Sequence, residues 1–282
     1  SKGGSIIDWI MEDEKVSLRG AIDRLRSSFG GLSRSGDSSY HEFRSTDQDA
    51  RLSYRGDDIC LRRDVISYYH DVLQHDAEVK RYLKSRGLLN EALIAHFKLG
   101  YANRTLAYRL PSKQTTEGRE SREALQRTGF LRESGHEHLN GSLVIPILAE
   151  NGKDVVQAYG RKIIQRLRKG TPKHLYLPGK HAGVFNLQGF KDSDSVVLCE
   201  ALIDALSFWC AGIQNVTSSY GVSGFTEEHL KAFHACLIKD VFIAYDADEA
   251  GNQAAETLSK RLVTEGFNCY RIRLPKDMDV NA

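Results

Sequence analysis

Two carboxylates two residues apart, Asp246 and Asp248, follow an apolar run in the stretch "VFIAYDADEAGNQAA". Glu200 follows another such run in "SVVLCEALIDALSF", and Asp277 and Asp279 follow a third in "RIRLPKDMD". Asp204 lies four residues after Glu200, so on a helix the two share a face. Neighbouring anions raise one another's pKa values unless something positive sits among them. Oxygen donors with no His or Cys partner select hard ions, Mg²⁺ or Mn²⁺, over zinc. Such ions take one or two carboxylates plus substrate phosphates, and pairs of them serve in-line displacement at phosphorus. A lone D-x-D is usually a solvated loop, and a Glu at a strand end is as often a helix N-terminal charge. The case here rests on recurrence: three strand ends deliver acidic groups toward one edge.

A basic counterpart lies upstream. Between Lys153 and Lys180 there are eight Lys or Arg residues, opposed only by Asp154, in a chain whose net charge is just +2. A local basic block inside a near-neutral chain points to a polyanion. The bland alternative is a solvated hairpin. Arg161, Lys162, Arg166, Arg168 and Lys173 are the candidates for phosphate contacts.

The elements that must position these groups are readable. From Leu61, the apolar residues Val65, Ile66, Tyr69, Val72 and Leu73 line one helical face. A second helix carries Val79, Tyr82 and Leu83 and stops at Gly87. A third opens on Asn90 as N-cap and closes at Gly100. A mixed-charge helical segment is expected between Leu106 and Phe130. "SLVIPILAENGKDVVQAYGRKI" predicts a hairpin with Asn151–Gly152 at its tip. After it, short β-rich runs alternate with helical ones to the end of the chain. That alternation predicts a parallel, doubly wound α/β sheet, with ligands beyond the carboxyl ends of its strands.

Length and composition bound the rest. The 282 residues suffice for two domains, and 41% hydrophobic with 27% charged residues is ordinary for a globular protein. No apolar run approaches a membrane span, and no membrane partner is expected. The five cysteines are odd in number and contain no C-x-x-C pair, which argues against disulfides and zinc and for reduced thiols in the cytoplasm. The chain opens on Ser1 with two short helical patterns, read as the tail of a small module in a longer protein. A Gly-, Ser- and Asp-rich linker is expected over 31–60.

Several stretches together resemble the bacterial DnaG-type primases. "VVLCEALIDALSF", "SSYGVSG", "VFIAYDADEAGNQAA" and "LPKDMD" look like a Toprim domain, whose signature is a Glu after the first strand and a D-x-D after the third. "YLKSRGLLNEALIAHFKLGYA", "LVIPILAENGKDVVQAYGRKI", "TPKHLYLPGK" and "GVFNL" are similar, in order, to the family's RNA-polymerase core. The start of the chain resembles the end of the family's zinc-binding module, after its zinc ligands. The resemblance implies a truncated zinc-module tail over 1–30, a mixed α+β core subdomain over 61–190 and a Toprim catalytic domain over 191–282.

It further implies synthesis of short RNA primers from NTPs on a single-stranded DNA template, with two or more Mg²⁺ or Mn²⁺ ions and zinc only in the missing module. Glu200, Asp246 and Asp248 match the catalytic metal-binding carboxylates. Asp277, Asp279 and Asp204 match further acidic positions, and Arg161 and Lys173 match phosphate-holding residues. A replicative helicase or an element-encoded replication protein is an implied partner. There are departures. The family's "EG" is Glu200–Ala201, its glycine pair before the Arg is Tyr159–Gly160, and its basic residues before the "PI" strand are replaced by "HLNGSL". These fit a primase of a mobile element, a phage or a defence system. Toprim strand cleavage and a purely nucleic-acid-binding module are the alternatives.

Overall fold

The computed structural model describes Leu52, Tyr54, residues 56–164 and residues 166–273. The module tail expected over 1–30, most of the expected linker, and Asp277 and Asp279 lie outside the described residues.

Three helices come first: α1 (Asp58–His75), α2 (Ala77–Ser85) and α3 (Glu91–His96). Each starts where a short polar side chain can accept from the open first turn. Asp57 Oδ1 accepts from the Ile59 N–H, Asp76 Oδ1 from those of Glu78 and Val79, and Asn90 Oδ1 from that of Leu93. In α1 the buried residues are Leu61, Val65, Ile66, Tyr69 and Leu73, the predicted stripe apart from the half-buried Val72. The helical stretch expected after Leu106 is interrupted. A 3₁₀ turn covers Leu106–Arg109, Pro111 follows, and α4 (Thr116–Arg127) restarts on Thr115, whose hydroxyl accepts from the Gly118 N–H.

The predicted hairpin is present as β2 (Ser142–Leu148) and β3 (Val155–Lys162). Gly152 takes φ +66° at its tip, and Asn151 Oδ1 accepts from the Lys153 and Asp154 N–H groups. Two three-residue strands extend it, β1 (Gly100–Ala102) and β4 (His174–Tyr176), giving an antiparallel sheet of order β1-β2-β3-β4.

A short α5 (Leu187–Phe190) leads to the second sheet. Its strands are β5 (Ser195–Cys199), β6 (Val216–Ser218), β7 (Asp240–Ala244) and β8 (Asn268–Arg271). Helices α6 (Leu202–Cys210), α7 (Glu227–Ala235) and α8 (Glu249–Thr264) connect them. All three pairings are parallel and the order is β6-β5-β7-β8. The chain moves outward from β5 to β6, then crosses back to β7 on the other side of β5. The order therefore reverses between β5 and β7, where a crevice opens at the carboxyl ends of such sheets.

Three apolar clusters hold these layers. One lies between α1, α4 and one face of the antiparallel sheet, with Tyr69, Phe130, Val144 and Ala158. Another packs α7 and α8 on the parallel sheet through Phe190, Phe233, Val241 and Leu262. The third joins the two sheets: Ile145, Ile147 and Tyr159 share it with Cys199, Leu202, Ile203 and Leu206. Phe97 stacks on Phe185 with centroids 4.9 Å apart and meets the edge of Trp209. Fully burying each such side chain stabilises the fold by about 1.5–3 kcal/mol over leaving it exposed.

Candidate active site

The carboxyl ends of β5 and β7 are neighbours, with Cys199 and Ala244 in register. Glu200 is the next residue after β5, and Asp246 lies two residues beyond β7. The sheet thus brings together Glu200 and the D-x-D, 46 positions apart in the sequence. The backbone of Asp246 lies near enough to the Glu200 carboxyl to hold its pKa down in part. Burial, then the charge of Asp246, then that of Asp248, push the Glu200 carboxyl above its ordinary range, while Arg271 opposes them. Glu200 Oε2 is buried with no hydrogen-bond partner. A buried carboxylate oxygen left this way costs free energy unless a proton or a cation joins it.

Asp248 has a second task beyond the loop position that its sequence context indicates. It is the N-cap of α8, and its Oδ1 accepts from the Gly251 N–H at 2.7 Å. One oxygen is thereby committed and the loop between β7 and α8 is fixed. Gly251 is required by a close approach, for a Cβ there would lie 2.4 Å from the Asp246 carbonyl oxygen.

Asp204 sits in the first turn of α6, buried at 4% exposure, with Oδ2 accepting from the Ala201 N–H at 3.2 Å. Its charge is felt by Cys199 and by Tyr159 of the antiparallel sheet. Among the described residues no three His, Cys, Asp or Glu side chains form a ready-made metal cage. Glu200, Asp246 and Asp248 offer oxygen donors, and a hard divalent cation can be held by one or two carboxylates with water and phosphate oxygens completing its shell.

The basic candidates divide by strand geometry. Successive residues of a strand point to opposite faces. Arg161, 8% exposed, lies beside the Tyr82 and Tyr159 hydroxyls, and its Nε has no partner. Lys162 points the other way, and its Nζ donates to the carbonyl and side-chain oxygens of Asn140. Burial, with Arg132 and Arg104 nearby, pushes the Lys162 ammonium below its ordinary range. Arg161 and Lys162 therefore face different surroundings. Lys173 is exposed next to β4; partial desolvation of the His174 ring, whose residue as a whole is exposed, and then Arg161 and Lys173 lower its pKa to about 4. Arg166 and Arg168 are exposed on the loop between β3 and β4, with no described contact to the carboxylates.

Two features of the site have no clear signal in the sequence. Behind Glu200, the Tyr245 hydroxyl donates to Ser219 Oγ at 2.7 Å, and Ser219 Oγ reaches Cys199 O and Gly221 O. This ties the ends of β5, β6 and β7 together. The other is Arg271 at the end of β8, whose guanidinium reaches the D-x-D loop. The lone hint is a charged residue at the end of an otherwise apolar strand pattern.

Comparison with known proteins adds the following. Residues 68–187 match the family described as the DNA primase catalytic core, N-terminal domain, and residues 197–282 match one described as Toprim-like. The chain is similar to the DNA primase of Aquifex aeolicus, 28% identical over 76% of this chain and 44% of that protein. It is 26% identical to the DNA primase of Legionella pneumophila over 99% of this chain and 47% of that one. It thus spans less than half the length of these relatives. Among solved structures, the zinc-binding and RNA polymerase domains of the Aquifex aeolicus primase superpose with a TM-score of 0.66 at 23% identity. That match covers 99% of this chain and 66% of the other. A DnaG primase catalytic domain bound to single-stranded DNA gives 0.64 at 22% identity, covering 79% and 75%. At these identities the shared property is the fold.

Proposed function

Because the chain belongs to the bacterial DnaG-type primase family, we propose that it carries the centre for template-directed synthesis of short RNA primers on single-stranded DNA. The observation that carries this reading is the pairing of Glu200 and Asp246 at adjacent strand ends, with Glu200 Oε2 buried and unpartnered.

In this reading the 3′-hydroxyl oxygen of the growing strand attacks the α-phosphorus of an incoming NTP. The new P–O bond forms as the bond to the pyrophosphate oxygen breaks, and the hydroxyl proton passes to solvent. Glu200, Asp246 and Asp248 would hold the divalent cations. Mg²⁺ or Mn²⁺ supplies neutralisation of the phosphate charge and a more acidic hydroxyl. Asp277, Asp279 and Asp204 are the further acidic positions in this reading. Arg161 presents a buried, unspent N–H to a phosphate of the triphosphate or template, and a charge-assisted bond there is about twice as strong as a neutral one. Lys173 adds a second cation just before β4, and Arg166 and Arg168 guide the polyanion from the flanking loop. Lys162, turned to the other face, serves the loop at Asn140.

The bound single strand in the related catalytic domain supports a DNA template. We place the work in the cytoplasm, with a replicative helicase or element-encoded replication protein as partner. No helix among the described residues is long and apolar enough to cross a membrane. The test is incorporation of labelled NTPs on varied single-stranded templates. Asp246→Asn is expected to reduce incorporation by at least about 10²–10³-fold while the template is still bound. Incorporation persisting in that variant, or strand cleavage without NTP use, overturns the proposal.

A further inference from the structure

Beyond the carboxylates, one cation is built into the back of the site. Arg271 closes β8, and the parallel register sets it against Ile243 of β7. Its side chain crosses that strand's end. Nη1 donates to the Ile243 carbonyl at 3.3 Å, and Nη2 to the Asp246 carbonyl at 3.0 Å and to Asn252 Oδ1 at 3.1 Å. These acceptors are neutral oxygens on three consecutive parts of the site: the end of β7, the D-x-D loop and the first turn of α8.

The same Asp246 carbonyl is approached closely by Gly251, which leaves no room for a Cβ. The Asp246 carbonyl is therefore held by a guanidinium and packed against a helix turn. The backbone of Asp246 lies beside the Glu200 carboxyl. Fixing the Asp246 carbonyl fixes the direction of its side chain and the spacing of Asp246 from Glu200.

We propose that Arg271 is a positioning residue for the divalent-cation site, holding the D-x-D loop in its metal-binding geometry. The inference rests on the metal-binding reading above. A planar, five-donor guanidinium can span three separated oxygens, whereas a point-charge ammonium cannot. Charge and geometry oppose one another here, which makes the idea sharply testable. Removing a fixed cation beside a metal site raises metal affinity if charge is all that matters. Removing the clasp lowers it.

The experiment titrates Mn²⁺ alone into the full chain, followed by electron paramagnetic resonance of the free ion, with no nucleotide or DNA present. Arg271→Met is expected to bind Mn²⁺ roughly tenfold or more weakly, the range for groups that orient metal ligands. Arg271→Lys, which keeps the charge, is expected to weaken it comparably. Unchanged or tighter binding in Arg271→Met overturns the proposal, as does full affinity in Arg271→Lys. Should Arg271→Met fail to fold by circular dichroism, Asn252→Ala removes only one anchor and decides instead. A measurable loss of Mn²⁺ affinity there supports the clasp, and parental affinity overturns it. Asp246→Asn separates the two levels: loss of Mn²⁺ binding there with none in the Arg271 variants sinks only the clasp. Parental binding in Asp246→Asn sinks the metal reading and the clasp with it.

Discussion

At the scale of single residues, Glu200 carries the clearest conflict between stability and function. Burial and two neighbouring carboxylates raise its folded-state pKa, so the folded chain binds that proton more tightly than the unfolded one. The sign follows directly. Stability from this group is fully present below its unfolded pKa and is lost as pH rises through the raised folded value. Glu200→Gln is therefore expected to raise the melting temperature at neutral pH in metal-free buffer, with the gain vanishing under acid conditions. Calorimetry across that range checks it, and Mg²⁺ is expected to stabilise the parent chain and not the variant. Arg161 gives a separate prediction. Arg161→Met is expected to raise KM for NTP or template while leaving Mn²⁺ affinity unchanged, because its guanidinium lies among Tyr82 and Tyr159 and makes no described contact with Glu200. The types and spacing of Glu200, Asp246 and Asp248 are legible in the amino-acid sequence alone. The division between Arg161 and Lys162 is legible there in principle, since the strand period of two separates adjacent residues. Arg271 is not, because nothing local ties it to a loop 25 positions away.

At the scale of elements, the turn from β7 into α8 is the working part. Asp248 caps the helix, Asp246 faces Glu200, and Gly251 makes the crossing possible. Gly251→Val is expected to destabilise the fold by about 1–3 kcal/mol, the usual cost of overpacking, because the obstruction is backbone rather than a movable side chain. Urea denaturation checks the stability, and Mn²⁺ titration is expected to show the loop displaced. Most long elements are readable from apolar periodicity, capping residues and the Asn151–Gly152 turn. The short strands β1 and β4 are not. Three residues carry too little pattern to signal a strand, and each exists because β2 or β3 offers an open edge.

At the scale of the whole described unit, one apolar core is shared between the antiparallel and parallel sheets. Phe97 belongs to it through Phe185 and Trp209. Phe97→Ala is expected to cost about 3–5 kcal/mol. Hydrogen exchange is expected to quicken in β2–β3 and β5–β7 together rather than in one sheet, since the cavity opens in a core that both use. Tyr159 of β3 lies within the electrostatic reach of Asp204 in α6, across that shared core.

The kind of chemistry on offer is legible in the amino-acid order alone. Acidic groups at strand ends and a basic hairpin upstream point to hard cations and phosphates, because side-chain type and local period are properties of short stretches. Which of those groups meet depends on the packed fold. The order β6-β5-β7-β8 sets Glu200 beside Asp246, α6 turns Asp204 into a helix cap, and β8 delivers Arg271 behind the loop. Strand order and register are fixed by contacts between distant stretches, and no local pattern carries them.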